Sequence, residues 1–378
     1  MVQEFKPLTG LRFLACLFVF AVHLPAWAMP QNATFEAIAA IVIGQANIVM
    51  PFFFMLSGFV LIHVYGARVV QARSDVQPLR TNRAGLADFL ARRVARLFPP
   101  HLLCLALILP LSFWAGAVQP GPLLAHLTLT QTLVPDIGYY GAFNTPSWAM
   151  STEFIFSLCF APLLLLLLPL GDRARLALLA LCLIAPLLAA AALTAAGMSG
   201  SFLLYINPFA RLAEFAAGAL LYLLWQRYRW KLPGLHWELL AFAACAASMI
   251  FTIDLPPAFR YWPIFMPATL FLIAVFAEGS GPLSRFFASD TMRFLGRVSF
   301  AFYLVHFVVI SYAGLTPLAA MAETSPWRWS IIPLLLLITF LCALPIHYGF
   351  ERKIEPRVRA ALLRLWQKRL KSAPPATS

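Results

Sequence analysis

Blocks of about 20 mostly apolar residues recur from one end of the chain to the other, each long enough to cross the hydrocarbon core of a bilayer as a helix. Candidate spans lie near 10–28, 46–66, 96–117, 148–170, 174–196, 208–226, 236–254, 260–278, 294–314 and 328–350. The stretch 36–45 reads as an interfacial lead-in to the second span. Residues 120–134, apolar but too short to cross, read as a re-entrant or surface helix. Of the 378 residues, 61% are hydrophobic and only 11% charged, whereas soluble domains are near half apolar and a quarter charged, so an ordinary globular enzyme is excluded. Backbone in lipid must satisfy its own hydrogen bonds. The fold class is therefore all-α: a polytopic membrane bundle of about ten transmembrane helices.

The net charge of +13 does not point to nucleic acid, because the cations sit in short connections and in the tail, as membrane anchors do. With the N-terminus in the cytoplasm, 25 of the 28 Lys and Arg residues fall on the inner side, and only Arg211, Arg260 and Arg328 on the outer. This asymmetry obeys the positive-inside rule and puts both termini in the cytoplasm. Lys6, Arg12 and Ala26-Trp27-Ala28 loosely imitate a signal peptide, but an arginine inside the apolar run and the later spans indicate a retained first helix. The six cysteines lie in apolar runs without CxxC spacing, so neither disulfides nor a metal site is expected. Residues 1–350 form one transmembrane domain. Residues 351–378 form a basic cytoplasmic tail, an amphipathic surface helix ending in a disordered Ser-Ala-Pro-Pro stretch.

An ionisable side chain inside a bilayer is costly and is a functional candidate by default. Arg12 and His23 are eleven residues apart on the first helix, about 16 Å of rise and roughly 20° of rotation, so they share one face at different depths. A snorkelling arginine and a packed histidine fit the same spacing. Glu153, five residues after Trp148, is expected at the depth of His23, where a carboxylate would orient an imidazole acting as general base. Arg211 and Glu214 lie one turn apart and fit an internal ion pair as well as a pore. Ser57 and His306 are the other polar groups within spans. Arg93 and Arg96, one turn apart at the cytoplasmic mouth of the third span, suit a phosphate.

The order of these features resembles the acyltransferase 3 family. Leu8-Thr9-Gly10-Leu11-Arg12 with His23 is similar to its Arg-x10-His opening, and Phe54-Met55-Leu56-Ser57-Gly58-Phe59 to its Ser-Gly-Phe motif. Arg92-Arg93-Val94-Ala95-Arg96-Leu97-Phe98-Pro99 resembles its RRxxRLxP segment, and Trp148-Ala149-Met150-Ser151-Thr152-Glu153-Phe154 its tryptophan–glutamate stretch. Arg211-Leu212-Ala213-Glu214-Phe215, Leu295-Gly296-Arg297 through Tyr303 and His306, and Tyr348 with Glu351-Arg352 complete the series. Thr9 stands where Asp is common, and Phe154 replaces a second acidic residue.

The resemblance implies a bacterial inner-membrane O-acyltransferase. It would move an acetyl or other short acyl group from cytoplasmic acyl-CoA to a hydroxyl of an extracytoplasmic or lipid-linked carbohydrate, such as an exopolysaccharide unit. On that reading Arg12, Arg93 and Arg96 hold the CoA end, His23 is the base, Glu153 orients it, and Ser57, Arg211, Glu214 and His306 line the substrate path. Acetyl-CoA is a co-substrate, and no cofactor is permanently bound. The partners are acyl-CoA, the glycan or glycolipid acceptor, membrane lipid and the polysaccharide biosynthesis machinery, with no nucleic acid. With no appended hydrolase-like domain after the last span, direct transfer to the acceptor is expected. Two other classes fit parts of the pattern: a proton-coupled glycolipid transporter or flippase using Glu153, Glu214 and His306 as a relay, and a scaffold subunit in which no buried polar residue matters.

Overall fold

A computed structural model describes residues 4–29, 43–71, 80–317, 319 and 330–372. The lead-in at 36–42, the tail beyond Ser372, and Arg73 and Arg328 lie outside the described residues. Twelve helices carry the argument: α1 (Lys6–Val22), α2 (Val49–Val69), α3 (Arg83–Trp114), α4 (Pro120–Thr128), α5 (Trp148–Leu167) and α6 (Asp172–Ala195), followed by α7 (Pro208–Tyr228), α8 (Leu235–Phe251), α9 (Met266–Glu278), α10 (Asp290–Ala313), α11 (Ile331–Ile346) and α12 (Glu355–Ser372). The chain is an all-α membrane bundle. Six helical stretches are long and apolar enough to cross a membrane: Ala46–Val69, Arg83–Trp114, Thr145–Leu167, Asp172–Ala195, Asp290–Ala313 and Ile331–Lys368. The other four predicted spans are also helical; α1, α8 and α9 are shorter, and α7 carries Arg211 and Glu214.

The largest difference from the sequence reading is α3. Its expected start near 96 is moved back to Arg83, where Asn82 accepts a hydrogen bond from the Gly85 N–H (3.3 Å) and caps the helix. A two-residue ribbon, Val70–Gln71 against Arg80–Thr81, closes the turn from α2. Arg92, Arg93 and Arg96 therefore sit within a helix and not in a loop. Pro99 and Pro100 are inside it as well, which membrane helices tolerate where neighbours satisfy the freed carbonyls. At the other end α11 continues through a π-helical stretch, His347–Ile354, into α12, whose Arg359 pairs with Asp88 of α3. The short apolar segment 120–134 forms α4 followed by a 3-10 turn, Gln131–Leu133.

Two tight helix pairs organise the bundle. Contacts between α1 and α10 climb together, from Thr9–Gly296 through Cys16–Ser299 to His23–His306, so the two helices run parallel. Helices α2 and α7 are parallel by the same test, through Phe54–Arg211, Gly58–Phe215 and His63–Tyr222. Each pair closes on glycine. A Cβ on Gly296 would collide with the Thr9 carbonyl, one on Gly58 with the Phe215 carbonyl, and one on Gly218 with the Met55 carbonyl. Small residues at such crossings let backbones touch where lipid supplies no hydrophobic drive.

Candidate functional site

Between these pairs lies a cavity of about 460 Å³, lined by residues of α1, α2, α3, α5 and α10 and by Glu355 at the start of α12. Arg12, Arg93, Arg96, Ser57 and Glu153 all face it. Their pairing differs from the sequence expectation. Arg93 Nη2 donates to Glu153 Oε2 at 2.5 Å and its Nε donates to Ser157 Oγ at 2.8 Å, while Ser57 Oγ donates to the same Glu153 oxygen at 3.0 Å. Glu153 is thus committed to Arg93 and Ser57 and not to His23. The reason is depth. His23 is the C-cap residue beyond the last turn of α1, whereas Glu153 is well inside α5, level with the arginines of the lengthened α3.

The same pairing sorts the cations. Arg93 is neutralised by Glu153 and Arg92 by Asp88 (3.0 Å). Among the described residues, neither Arg12 nor Arg96 forms an ion pair; Arg96 lies over the Phe300 ring at 5.2 Å. Glu4, Glu153 and Glu355 line the same cavity, but none lies within ion-pair distance of Arg12 or Arg96, and two such guanidinium groups are suited to an anion. At its mouth, Glu4 is partly buried but receives hydrogen bonds from Arg293 and Thr9, which hold its carboxyl below the usual range.

The cavity ends at Cys16, Ser299 and Tyr303, and His23 and His306 do not line it. Beyond that floor His306 Nε2 lies 3.3 Å from His23 Nδ1. The expected carboxylate partner of His23 is replaced by a second imidazole. A cap closes over this end: Tyr303 Oη donates to the Pro146 carbonyl (2.6 Å) and Asn144 Nδ2 to the Leu304 carbonyl (3.0 Å). The cap is held by a buried network missed in the sequence. His101 Nε2 meets the His126 carbonyl (2.8 Å), His126 Nε2 the Tyr139 carbonyl (2.9 Å), and Thr132 and Ser151 pair through their hydroxyls (2.7 Å). Burial pushes the His126 imidazole down to about 4.

The acyltransferase domain family matches residues 6–348. The chain belongs to the acyltransferase 3 family. Acyltransferase MdmB from Streptomyces mycarofaciens is 30% identical over 329 residues, spanning 82% of this chain and 80% of that protein. No solved structure matches the chain.

Within this acyltransferase 3 fold, Arg211 and Glu214 are not on the cavity. Both side chains are fully buried, their Nε–Oε2 separation is 2.6 Å, and the guanidinium is enclosed by Phe54, Trp148, Tyr205 and Trp262. Neither residue lines the cavity, and the ion pair one turn apart on α7 packs into an aromatic cage, which fits the internal-pair reading of the spacing. The six cysteines are free, and among the described residues no group of three acidic, His or Cys side chains could hold a metal.

Proposed function

We propose that this acyltransferase 3 protein is an inner-membrane O-acyltransferase moving acetyl, or another short acyl group, from cytoplasmic acyl-CoA to a hydroxyl of an extracytoplasmic or lipid-linked carbohydrate. The observation that carries the reading is the division of one helix pair into two chemical ends. Arg12, with Arg96 beside it in the cavity, offers unpaired cations to the donor phosphates. At the far end of the same two helices His23 and His306 meet at 3.3 Å. The parallel courses of α1 with α10 and of α2 with α7 support ten spans with both termini in the cytoplasm, because each pair then crosses in one direction.

Acyl-CoA enters from the arginine-rich side, its phosphates on Arg12 and Arg96, its pantetheine arm directed along α1 towards His23. From Cys16 at the cavity floor to His23 is about 10 Å of helix. His23 takes the proton of the acceptor hydroxyl as that oxygen attacks the thioester carbonyl. The carbon–sulfur bond then breaks, and the proton passes to the departing thiolate, so that ester and free CoA thiol leave. Glu153 holds Arg93 at the wall of the donor cavity, and Ser57 supports Glu153. The transporter reading needs Glu153, Glu214 and His306 in one relay. Among the described residues no hydrogen bond joins any two of them, and Glu214 is sealed against Arg211.

The test gives membranes containing the protein labelled acetyl-CoA and a panel of glycan acceptors. The proposal expects label in the glycan with wild type and a loss of at least about 100-fold with His23→Ala. Transfer that survives His23→Ala removes the proposed base, and no transfer to any acceptor favours the transporter.

A further inference from the structure

We propose that His306 is the positioning residue of the site, acting with the Val19 carbonyl to hold the proton of His23 on Nδ1 and turning that ring so that the lone pair of His23 Nε2 faces the acceptor hydroxyl. This rests on the acyl-transfer reading above. The argument is one of donors and acceptors. His306 Nδ1 lies 2.5 Å from the Tyr303 carbonyl oxygen, which can only accept, so this nitrogen carries a hydrogen. In a neutral imidazole the other nitrogen is then bare. That bare Nε2 is the atom 3.3 Å from His23 Nδ1. His23 Nδ1 is also 2.8 Å from the Val19 carbonyl, so it too carries a hydrogen, shared between Val19 and His306. The chain of acceptors leaves His23 Nε2 with its lone pair.

Both rings are held in these orientations. His306 is fully buried and lies parallel to Phe302, with 9° between the planes and 6.5 Å between centroids. His23 meets Phe307 edge-on at 83° and 5.6 Å. The carboxylate that the sequence assigned to this task is held by Arg93 and Ser57. When His23 Nε2 accepts the hydroxyl proton, the cationic ring keeps its Nδ1–H directed at His306 Nε2, and that hydrogen bond strengthens as the charge forms. The proton then leaves from Nε2 to the thiolate of CoA, returning the pair to its starting state. His306 touches neither donor nor acceptor; it acts through His23.

Two substitutions separate this role from packing. His306→Phe keeps a ring against Phe302 but removes the acceptor. His306→Gln loses the ring but carries an amide oxygen able to reach His23 Nδ1. Positioning predicts a fall in kcat of about 100-fold for Phe with an unchanged KM for acetyl-CoA, and recovery to within about tenfold of wild type for Gln. The reverse order, with Phe more active than Gln, assigns His306 to packing and overturns the inference. A second measurement needs no variant: nitrogen-15 solid-state NMR of histidine-labelled wild type in lipid, the two rings assigned by their coupling to each other. Both rings neutral and protonated at Nδ1 is the expected result, and a His306 ring protonated at Nε2 overturns the inference whatever the activity. Failure of wild type to transfer from acetyl-CoA to any acceptor defeats the acyl-transfer reading instead, and leaves the tautomer measurement standing as a separate result.

Discussion

Neutralising one member of the Arg211–Glu214 pair is expected to cost far more than removing both. The two side chains are fully buried at 2.6 Å, with no solvent to screen a stranded charge. Breaking such a pair costs about 3–5 kcal/mol, whereas replacing both groups by apolar ones is often close to neutral. The aromatic cage makes the two single losses unequal. Glu214→Gln leaves a guanidinium between four rings, with Phe54 at 4.8 Å and Tyr205 at 5.4 Å, and each desolvated cation–π contact returns about 1–2 kcal/mol. Arg211→Met leaves a carboxylate that the ring faces repel, so the full 3–5 kcal/mol is lost. Stability should therefore fall most in Arg211→Met, less in Glu214→Gln and least in the double variant Arg211→Met/Glu214→Leu. Equilibrium unfolding in mixed detergent micelles, read by tryptophan emission, measures the three differences. A double variant no more stable than the worse single refutes the structural account. A well-folded double variant without acyl transfer would return the pair to the reaction path.

Three further expectations follow from the geometry. Gly218→Ala, which drives a methyl into the Met55 carbonyl, should lower stability by about 1–3 kcal/mol and cut the yield of monodisperse protein, while Gly171→Ala, with open space around it, should not; size-exclusion profiles in detergent decide. Arg12→Ala and Arg96→Ala should each raise the KM for acetyl-CoA about tenfold or more without lowering thermal stability, whereas Arg93→Ala strands Glu153 and should lower both folding and activity; donor titrations beside melting curves check this. His126, in a helix too short to cross a bilayer, is held neutral by burial with a value of about 4. Protonation near 6.5 favours the unfolded chain, so its contribution is fully present above 6.5 and is lost as pH falls towards 4. His126→Gln should flatten that acid limb in pH-resolved unfolding curves.

The helices were legible because the bilayer imposes a length; the third differs most, while the first ends at Val22, short of 28, and the eighth begins at Met266, after 260. In the third the reading began the span near 96, where the apolar run starts after the arginines, because a length rule finds the membrane-crossing part of a helix and not its polar extension. The capping signal at Asn82, three residues before Gly85, was available and points to the earlier start. That one shift governs the site. With α3 beginning at Arg83, Arg93 reaches Glu153, and the charge thought to serve His23 is taken. Sequence spacing could place Arg12 and His23 on one face of α1 because a single helix fixes their relation. It carries no information on which distant helix lies alongside, so His306, 283 residues away, was counted as a lining group and not as the partner of His23. The cap network of His101, His126 and Asn144 was hidden for the same reason: each satisfies a backbone group far along the chain or across a turn.

The glycine crossings also decide how the molecule can move. Helices α1 and α10 touch backbone to backbone, as do α2 and α7, so each pair is a stiff double beam that resists bending or sliding within itself. The cavity is the gap between the two beams, walled by Thr9 and Tyr303 on one side and by Ser57 and Val64 on the other. At the mouth of the cavity the ring of Phe5, just ahead of α1, sits edge-on against Phe59 at 5.0 Å and Trp225 at 5.4 Å. That ring joins the two beams at one end of the cavity. A small rotation of one beam about that contact would become a larger displacement some 25 Å along the helix, at the level of His23.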